Sequence, residues 1–384
     1  MTATDARSLA GGTTIAYRPA LDGLRAWAVV AVVLYHAGAT SALPGLAPGG
    51  FLGVSVFFTL SGYLVTTLLI RESSRPDGLR LRRFWVRRVK RLVPVSLTVV
   101  ALSVVLSATF WPGMAASDAA AGIFGYTNWH VIGSGEEALL RTIVGPLGPY
   151  WSLAVEEQFY VLLTVAVLLA WRTARPIRTL SIVVTTGWLA SVAAQMLLDG
   201  PQFRFEFGTD TRGSELLAGC GLALGLHARP DLLDRARMLL PWLGVGAFAV
   251  VIGLAATTDY DPPWLLHGGY AAVSLASAVL VASLLLPGPL TRLLATAPTV
   301  AIGRLSYSWY VVHWPMILIL TADRTGLDRW PLVALKVAAS LAAAVALHLM
   351  IEQPLRRADA TARAVAVAWL GASISVVAMA IIVL

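Results

Sequence analysis

Residues 25–71 read RAWAVVAVVLYHAGATSALPGLAPGGFLGVSVFFTLSGYLVTTLLIR, and between the two arginines the only charged or imidazole side chain is His36. A membrane crossing takes roughly 20 apolar residues, so this run is too long for one span and sufficient for two. Pro44, Pro48, Gly49 and Gly50 mark the turn between them. The apolar runs are continuous rather than alternating at every second residue, which selects helices over barrel strands. Further windows of the same kind fall at 92–112, 151–171, 180–198, 211–227, 239–257, 267–286, 305–322, 331–351 and 364–384. The expected fold is an all-α polytopic transmembrane helix bundle of about eleven spans, the first two at 21–39 and 50–70. The expected organisation is a flexible N-terminus over 1–16, a membrane domain over 17–361 and a terminal eleventh helix over 362–384.

Composition agrees. Of 384 residues, 57% are hydrophobic and 13% charged, against roughly 45–50% and 25% in soluble chains. That excludes a disordered chain and argues against an ordinary soluble domain. A single cysteine, Cys220, excludes a disulfide framework and a multi-cysteine metal site. The net charge of +8 comes almost wholly from arginine, since only Lys90 and Lys336 are lysines. If the N-terminus is cytoplasmic, the inner segments carry 22 basic residues and the outer loops four. This asymmetry predicts a cytoplasmic N-terminus and an outer C-terminus in a cell membrane, and it makes nucleic-acid binding remote. A cleaved signal peptide ending at Ala37-Gly38-Ala39 is a minor alternative, because cleavage would discard Arg25 and invert the next span. Segment 113–150 is the longest connection, and its middle, 119–129, has the composition of a re-entrant piece.

Ionisable groups at membrane depth are costly and usually functional. Arg25 and His36 lie eleven positions apart, about three helical turns and a rise of about 16 Å, so they share one face at different depths. His36 reads as a proton acceptor or nucleophile. The cluster Arg80, Arg82, Arg83, Arg87, Arg88, Lys90 and Arg91 exceeds what topology needs. It suits lipid headgroups or a phosphorylated cofactor equally. Glu156 and Glu157 stand at the start of a span, where helix-dipole stabilisation could explain them; against that, the flanking aromatics would bury at least one carboxylate and favour acid–base use. Arg212 and Glu215 are spaced to pair on one helix, and His313 beside Trp314 reads as interfacial. His130, His227, His267 and His348 read as structural. No zinc-hydrolase, serine-hydrolase or nucleotide-binding motif is present, and no metal is expected.

The motifs, in order, resemble those of the acyltransferase-3 family of integral-membrane O-acyltransferases. They are Tyr17-Arg18-Pro19-Ala20-Leu21-Asp22-Gly23-Leu24-Arg25 followed by His36, Phe51 to Phe58 with Leu60-Ser61-Gly62-Tyr63, Phe84-x-x-Arg87-Arg88-x-x-Arg91-x-x-Pro94, Trp151 to Tyr160, Arg212-x-x-Glu215, Leu305 to Pro315, and Glu352-x-Pro354-x-Arg356. The resemblance implies transfer of an acyl group, typically acetyl, from cytoplasmic acyl-CoA to a hydroxyl of a sugar, glycolipid or envelope glycan at the outer side. An antibiotic or other small-molecule acceptor is an alternative, and a proton-coupled transporter is the reading from another class. It implies His36 as the catalytic residue and Arg25, Arg88 and Arg91 on the donor side. With Arg87 added, the arginines would hold the CoA phosphates, Ser61 and Gly62 would line the thioester channel, and Glu156 would orient His36. Trp151, Glu157, Tyr160, Arg212, Glu215, Tyr307 and His313 would support the substrates. Some members carry a soluble outer domain after the eleventh helix, and none is expected here after Leu384.

Overall fold

The computed structural model describes residues 17–73, 81–260 and 262–384, and among them it is all-helical with no strand. The long helices are α1 (Pro19–Ala39), α2 (Gly53–Ser73) and α3 (Leu81–Phe110), then, after two short helices, α4 (Ala116–Ile123) and α5 (Thr127–Ala138), α6 (Tyr150–Ala170) and α7 (Pro176–Leu197). The short α8 (Gln202–Phe207) leads into α9 (Thr209–Ala228), α10 (Leu240–Thr257), α11 (Tyr270–Ser283), α12 (Ala297–Ile319), α13 (Arg329–Leu347) and α14 (Ala362–Val383). Proline stands in the first turn of α1, α7, α10 and α12, where its missing N–H costs nothing and its fixed φ starts the helix.

Every apolar window of the sequence falls on one of these helices. Among the described residues, nine helices are long and apolar enough to cross a membrane. The other two long helices, α9 and α12, are more polar, and much of that polarity is buried. The buried residues of α9 include Thr211, Arg212, Ser214 and Glu215, and those of α12 include Ser306, Ser308 and His313. A helix surrounded by other helices can carry polar groups that lipid would not accept. At the other extreme α14, packed on α3 and α4, buries only Ser373 and Ala380.

Two boundaries differ from expectation. The third window, 92–112, extends backward, so the basic stretch from Leu81 to Arg91 is helical and continuous with it, and Pro94 lies inside α3. Neighbouring hydroxyls secure the backbone there: Tyr307 donates to the Leu92 carbonyl at 2.6 Å and Tyr150 to that of Ser96 at 2.7 Å. Proline is tolerated in a spanning helix when neighbouring side chains meet the backbone groups around it. Arg80 and the segment 1–16 lie outside the described residues. The 113–150 connection is largely helical, with α4 and α5 held by a buried Asp118. Its carboxylate accepts from Arg141 Nε at 2.8 Å and Thr142 Oγ1 at 2.9 Å, and meets His130 Nε2 at 2.8 Å. Burial pushes the Asp118 pKa up, but these partners and the Ala115 N–H outweigh it and hold the group ionised.

Glycines set the closest helix crossings. A Cβ at Gly62 would overlap the Leu216 carbonyl, and one at Gly219 the Thr59 carbonyl, so α2 and α9 meet backbone to backbone. Gly303 of α12 meets the Asp22 carbonyl of α1 in the same way. Small residues are what permits such approach in a membrane bundle. Gly62→Ala and Gly219→Ala are each expected to cost about 1–3 kcal/mol and to lower the Tm of the detergent-solubilised protein. The double variant should lose less than the two together, because both open one seam. An unchanged Tm in both single variants would contradict this packing.

Candidate active site

The shared face of Arg25 and His36 is turned toward α12. Arg25 Nε donates to Ser306 Oγ at 3.1 Å, and His36 Nδ1 lies 3.1 Å from His313 Nε2. Ser306 and His313 are seven residues apart, two turns along one face of α12, so the helices run side by side and present their polar groups in step. His313 Nδ1 is 2.6 Å from the Tyr310 carbonyl. A carbonyl only accepts, so this nitrogen carries the proton and the neutral ring offers a lone pair at Nε2. The contact with His36 then requires His36 Nδ1–H as donor. His36 Nε2 is left with its lone pair, the arrangement a base or nucleophile needs.

The surroundings fix that ring. The indole of Trp314 and the phenol of Tyr35 stand 4.8 and 4.9 Å from it, centroid to centroid. Trp314 is itself pinned by a hydrogen bond from Nε1 to the Gly145 carbonyl at 2.7 Å. One turn further, Thr40 Oγ1 donates to the His36 carbonyl at 2.6 Å. Lys336 Nζ reaches the Thr40 carbonyl at 2.7 Å and Ser41 Oγ at 3.0 Å. A buried cation thus closes the C-terminal end of α1, where unsatisfied carbonyls gather. A lysine within an apolar run is the sequence signal for this role of Lys336.

Beyond the imidazole pair, toward the start of α3, lies a cavity. Arg25, Ser61, Arg91, Glu156, Tyr160 and Tyr307 contribute to its walls, and Tyr310 and Ser152, hydrogen-bonded at 2.6 Å, stand at its wall toward His313. Tyr160 bonds Ser61 Oγ at 2.5 Å and carries the Arg88 guanidinium 3.8 Å above its ring. Among the described residues, Arg88 Nε and Arg91 Nε are buried donors with no hydrogen-bond partner. An unmet buried donor is costly, most of all on a charged group, so this end of the cavity is built to receive an anion.

Five expectations change here. Glu156 does not meet His36; it shares the cavity with Arg25 and Tyr160, the start of α6 being packed against α4 and α5. His313, expected to be interfacial, takes the place beside His36. Gly62 faces away from the cavity into the α2–α9 crossing, since its missing Cβ serves helix packing. Arg87 is exposed, being rotated by 100° from Arg88. Glu157 lies outside the cavity too, its carboxylate against Gly125, whose φ of 67° and absent Cβ leave it room. A buried Glu352, which accepts from Ser308 at 2.7 Å and meets His348 at 2.8 Å, was quoted only as part of a motif.

At the His36 end, Arg212 is 2% exposed and paired with Glu215 at 2.6 Å, as its spacing predicts. Its guanidinium lies 3.8 Å from the Tyr270 ring centre and 5.2 Å from that of Trp151, and it donates to the Glu206 carbonyl at 3.2 Å. Glu206, in α8, is 6% exposed and accepts from the Tyr260 hydroxyl. Burial raises its pKa from 4.5 to about 7, against the opposing pull of Tyr260 and Arg212.

Residues 18–349 match the family described as Acyltransferase domain. The chain is 35% identical over 316 residues to the O-acetyltransferase OatA of Staphylococcus aureus, covering 80% of this chain and 51% of that protein. It is 33% identical over 356 residues to the peptidoglycan O-acetyltransferase OatA of Listeria monocytogenes, covering 89% of this chain and 56% of that one. The chain spans about half the length of the curated relatives it matches. No solved structure matches.

The Glu206 pKa has a consequence for stability. Between pH 4.5 and about 7 the native carboxyl holds a proton that the unfolded chain has lost, so this group's contribution falls as pH rises through that window. Glu206→Gln keeps an acceptor for Tyr260 and removes the titration. Its Tm relative to the parent protein is expected to rise from pH 5 to pH 8; a difference independent of pH would refute the assignment.

Proposed function

The chain belongs to the acyltransferase-3 family and is a membrane protein, and from this premise we propose that it is an O-acyltransferase. In this reading it moves an acetyl group from cytoplasmic acetyl-CoA to a hydroxyl of a cell-wall glycan on the outer side. The observation that carries the reading is the line formed by the unmet arginine donors, the cavity and the His36–His313 pair. The arginine excess of the inner segments supports a cytoplasmic α3 start and an outward-facing His36. The names of the relatives support peptidoglycan as the acceptor.

Arg88 and Arg91 hold the donor's phosphates through bidentate, charge-assisted bonds, with Arg25 and Glu156 further along the cavity. The pantetheine arm lies in the cavity and brings the thioester toward Tyr310 and the imidazole pair. His36 Nε2 either takes the proton of the acceptor hydroxyl as it attacks or receives the acyl group first. In both versions the C–S bond breaks, an ester bond to the acceptor oxygen forms, and the hydroxyl proton ends on the thiol. His313 keeps the required tautomer and shares the charge that develops on His36.

His36→Ala is expected to lower kcat by at least about a hundredfold, measured as thiol release from acetyl-CoA in the presence of a soluble glycan. Wild-type turnover in that variant would overturn the role of His36. His313→Gln should lower kcat while leaving both KM values within about twofold, as a residue acting through His36 would. Arg88→Ala with Arg91→Ala should raise KM for acetyl-CoA about tenfold or more. An effect confined to the acceptor KM would contradict the donor assignment.

A further inference from the structure

On the side of His36 away from the cavity, three rings from separate parts of the chain meet. Tyr35 of α1, Phe51 of the turn before α2, and Tyr260 of the connection between α10 and α11 form a closed triangle. Tyr35 and Phe51 are 5.4 Å apart, Phe51 and Tyr260 5.7 Å, and Tyr35 and Tyr260 6.4 Å with planes only 19° apart. Phe51 is buried beneath the others, while Tyr260 is 40% exposed. Tyr35 also contacts the His36 ring, at 4.9 Å. The group therefore touches the catalytic imidazole on one side and the surface on the other.

An aromatic residue at a membrane boundary ordinarily serves as an interfacial anchor with its polar tip toward water. Tyr260 does the reverse. Its hydroxyl points inward and donates to the buried Glu206 carboxylate, while its carbonyl accepts from Gln202 Nε2 at 3.4 Å. The ring is thus held from both ends with one face available. Glu206 is buried beside that face, and above about pH 7, where it is ionised, its carboxylate is an acceptor only. Its second oxygen suits a hydroxyl donor.

We infer that Tyr35, Phe51, Tyr260 and Glu206 form the acceptor subsite, which takes one sugar ring of a glycan. A pyranose carries apolar C–H groups on its faces and hydroxyls around its rim. The aromatic platform takes the C–H face and the Glu206 carboxylate accepts from a rim hydroxyl. The ring so held presents another hydroxyl to His36 Nε2. This rests on the acyltransferase reading of the same site, and it adds where the acceptor binds and which groups select a saccharide. Glycan recognition then belongs to the membrane domain itself.

The test is direct binding of a β-1,4-linked N-acetylglucosamine pentamer to the detergent-solubilised full chain, by calorimetry without acyl donor. Tyr260→Leu is expected to weaken binding about tenfold or more, because it removes the exposed platform and the contact to Glu206. Tyr260→Phe keeps the ring and should recover most of that loss. Position 260 is 40% exposed, so both variants are expected to fold, which a cooperative melt of each verifies. Equal affinity in the parent protein and Tyr260→Leu, or no binding by the parent protein, overturns the subsite. Thiol release from acetyl-CoA, measured separately on the parent protein, distinguishes that result from failure of the acyltransferase reading: a parent protein that turns over but does not bind the pentamer removes the subsite alone, and one that binds the pentamer without turnover removes the reaction alone.

Discussion

The seam between α1 and α12 is the constraint on which the site depends. Lipid offers no partner to a buried polar group, so a spanning helix keeps an ionisable side chain only where a neighbouring helix answers it. Here one pair of helices provides two such answers, Arg25 with Ser306 and His36 with His313. Both require the backbones to be close, and Gly303 against the Asp22 carbonyl brings them there. The polar character of α12 follows from the same arrangement. Enclosed by protein, it can carry serines and an imidazole that its lipid-facing neighbours cannot.

From that seam the site extends in two directions of opposite chemistry. Toward the start of α3 it becomes cationic, with arginine donors that nothing among the described residues satisfies. Toward the far end of α1 it becomes aromatic and acidic. The imidazole pair stands between, and the Tyr310–Ser152 hydrogen bond lies where the cavity meets it. A reaction whose donor is anionic and whose acceptor is a neutral polyol fits such a polarity, because each substrate is favoured at one end only. Lys336 and Trp314 do not line the cavity, yet they fix the carbonyl end and the ring plane of His36.

Several residues were legible by spacing alone. Arg212 and Glu215 pair because three positions along one helix bring side chains together whatever the helix packs against. Arg25 and His36 share a face for the same reason, eleven residues being three turns. The misreadings concern distances between helices. Glu156 was matched to His36 because both lie toward the outer end of their spans, but the start of α6 packs against α4 and α5 and Glu156 lines the cavity with Arg25. Gly62 was read as channel lining because glycine permits close approach; what approaches is the Leu216 carbonyl. Arg87 and Arg88 are adjacent in a basic run, and only the helical continuity of α3 turns one outward and the other over Tyr160.

The sequence by itself determined the elements and their composition. Apolar runs of spanning length permit only helices in lipid, the surplus of arginine lies in the segment that opens α3, and the few ionisable residues inside spans mark where chemistry is concentrated. Its motif order identified the family. The tertiary structure alone decided which of those residues meet. Partner choice between helices depends on crossing angle, depth and the glycines that allow contact, none of which a linear spacing encodes. That is why His313 rather than Glu156 stands beside His36. It is also why Glu206 and Tyr260, 54 residues apart and in different connections, became visible as a pair only once the bundle had brought them together.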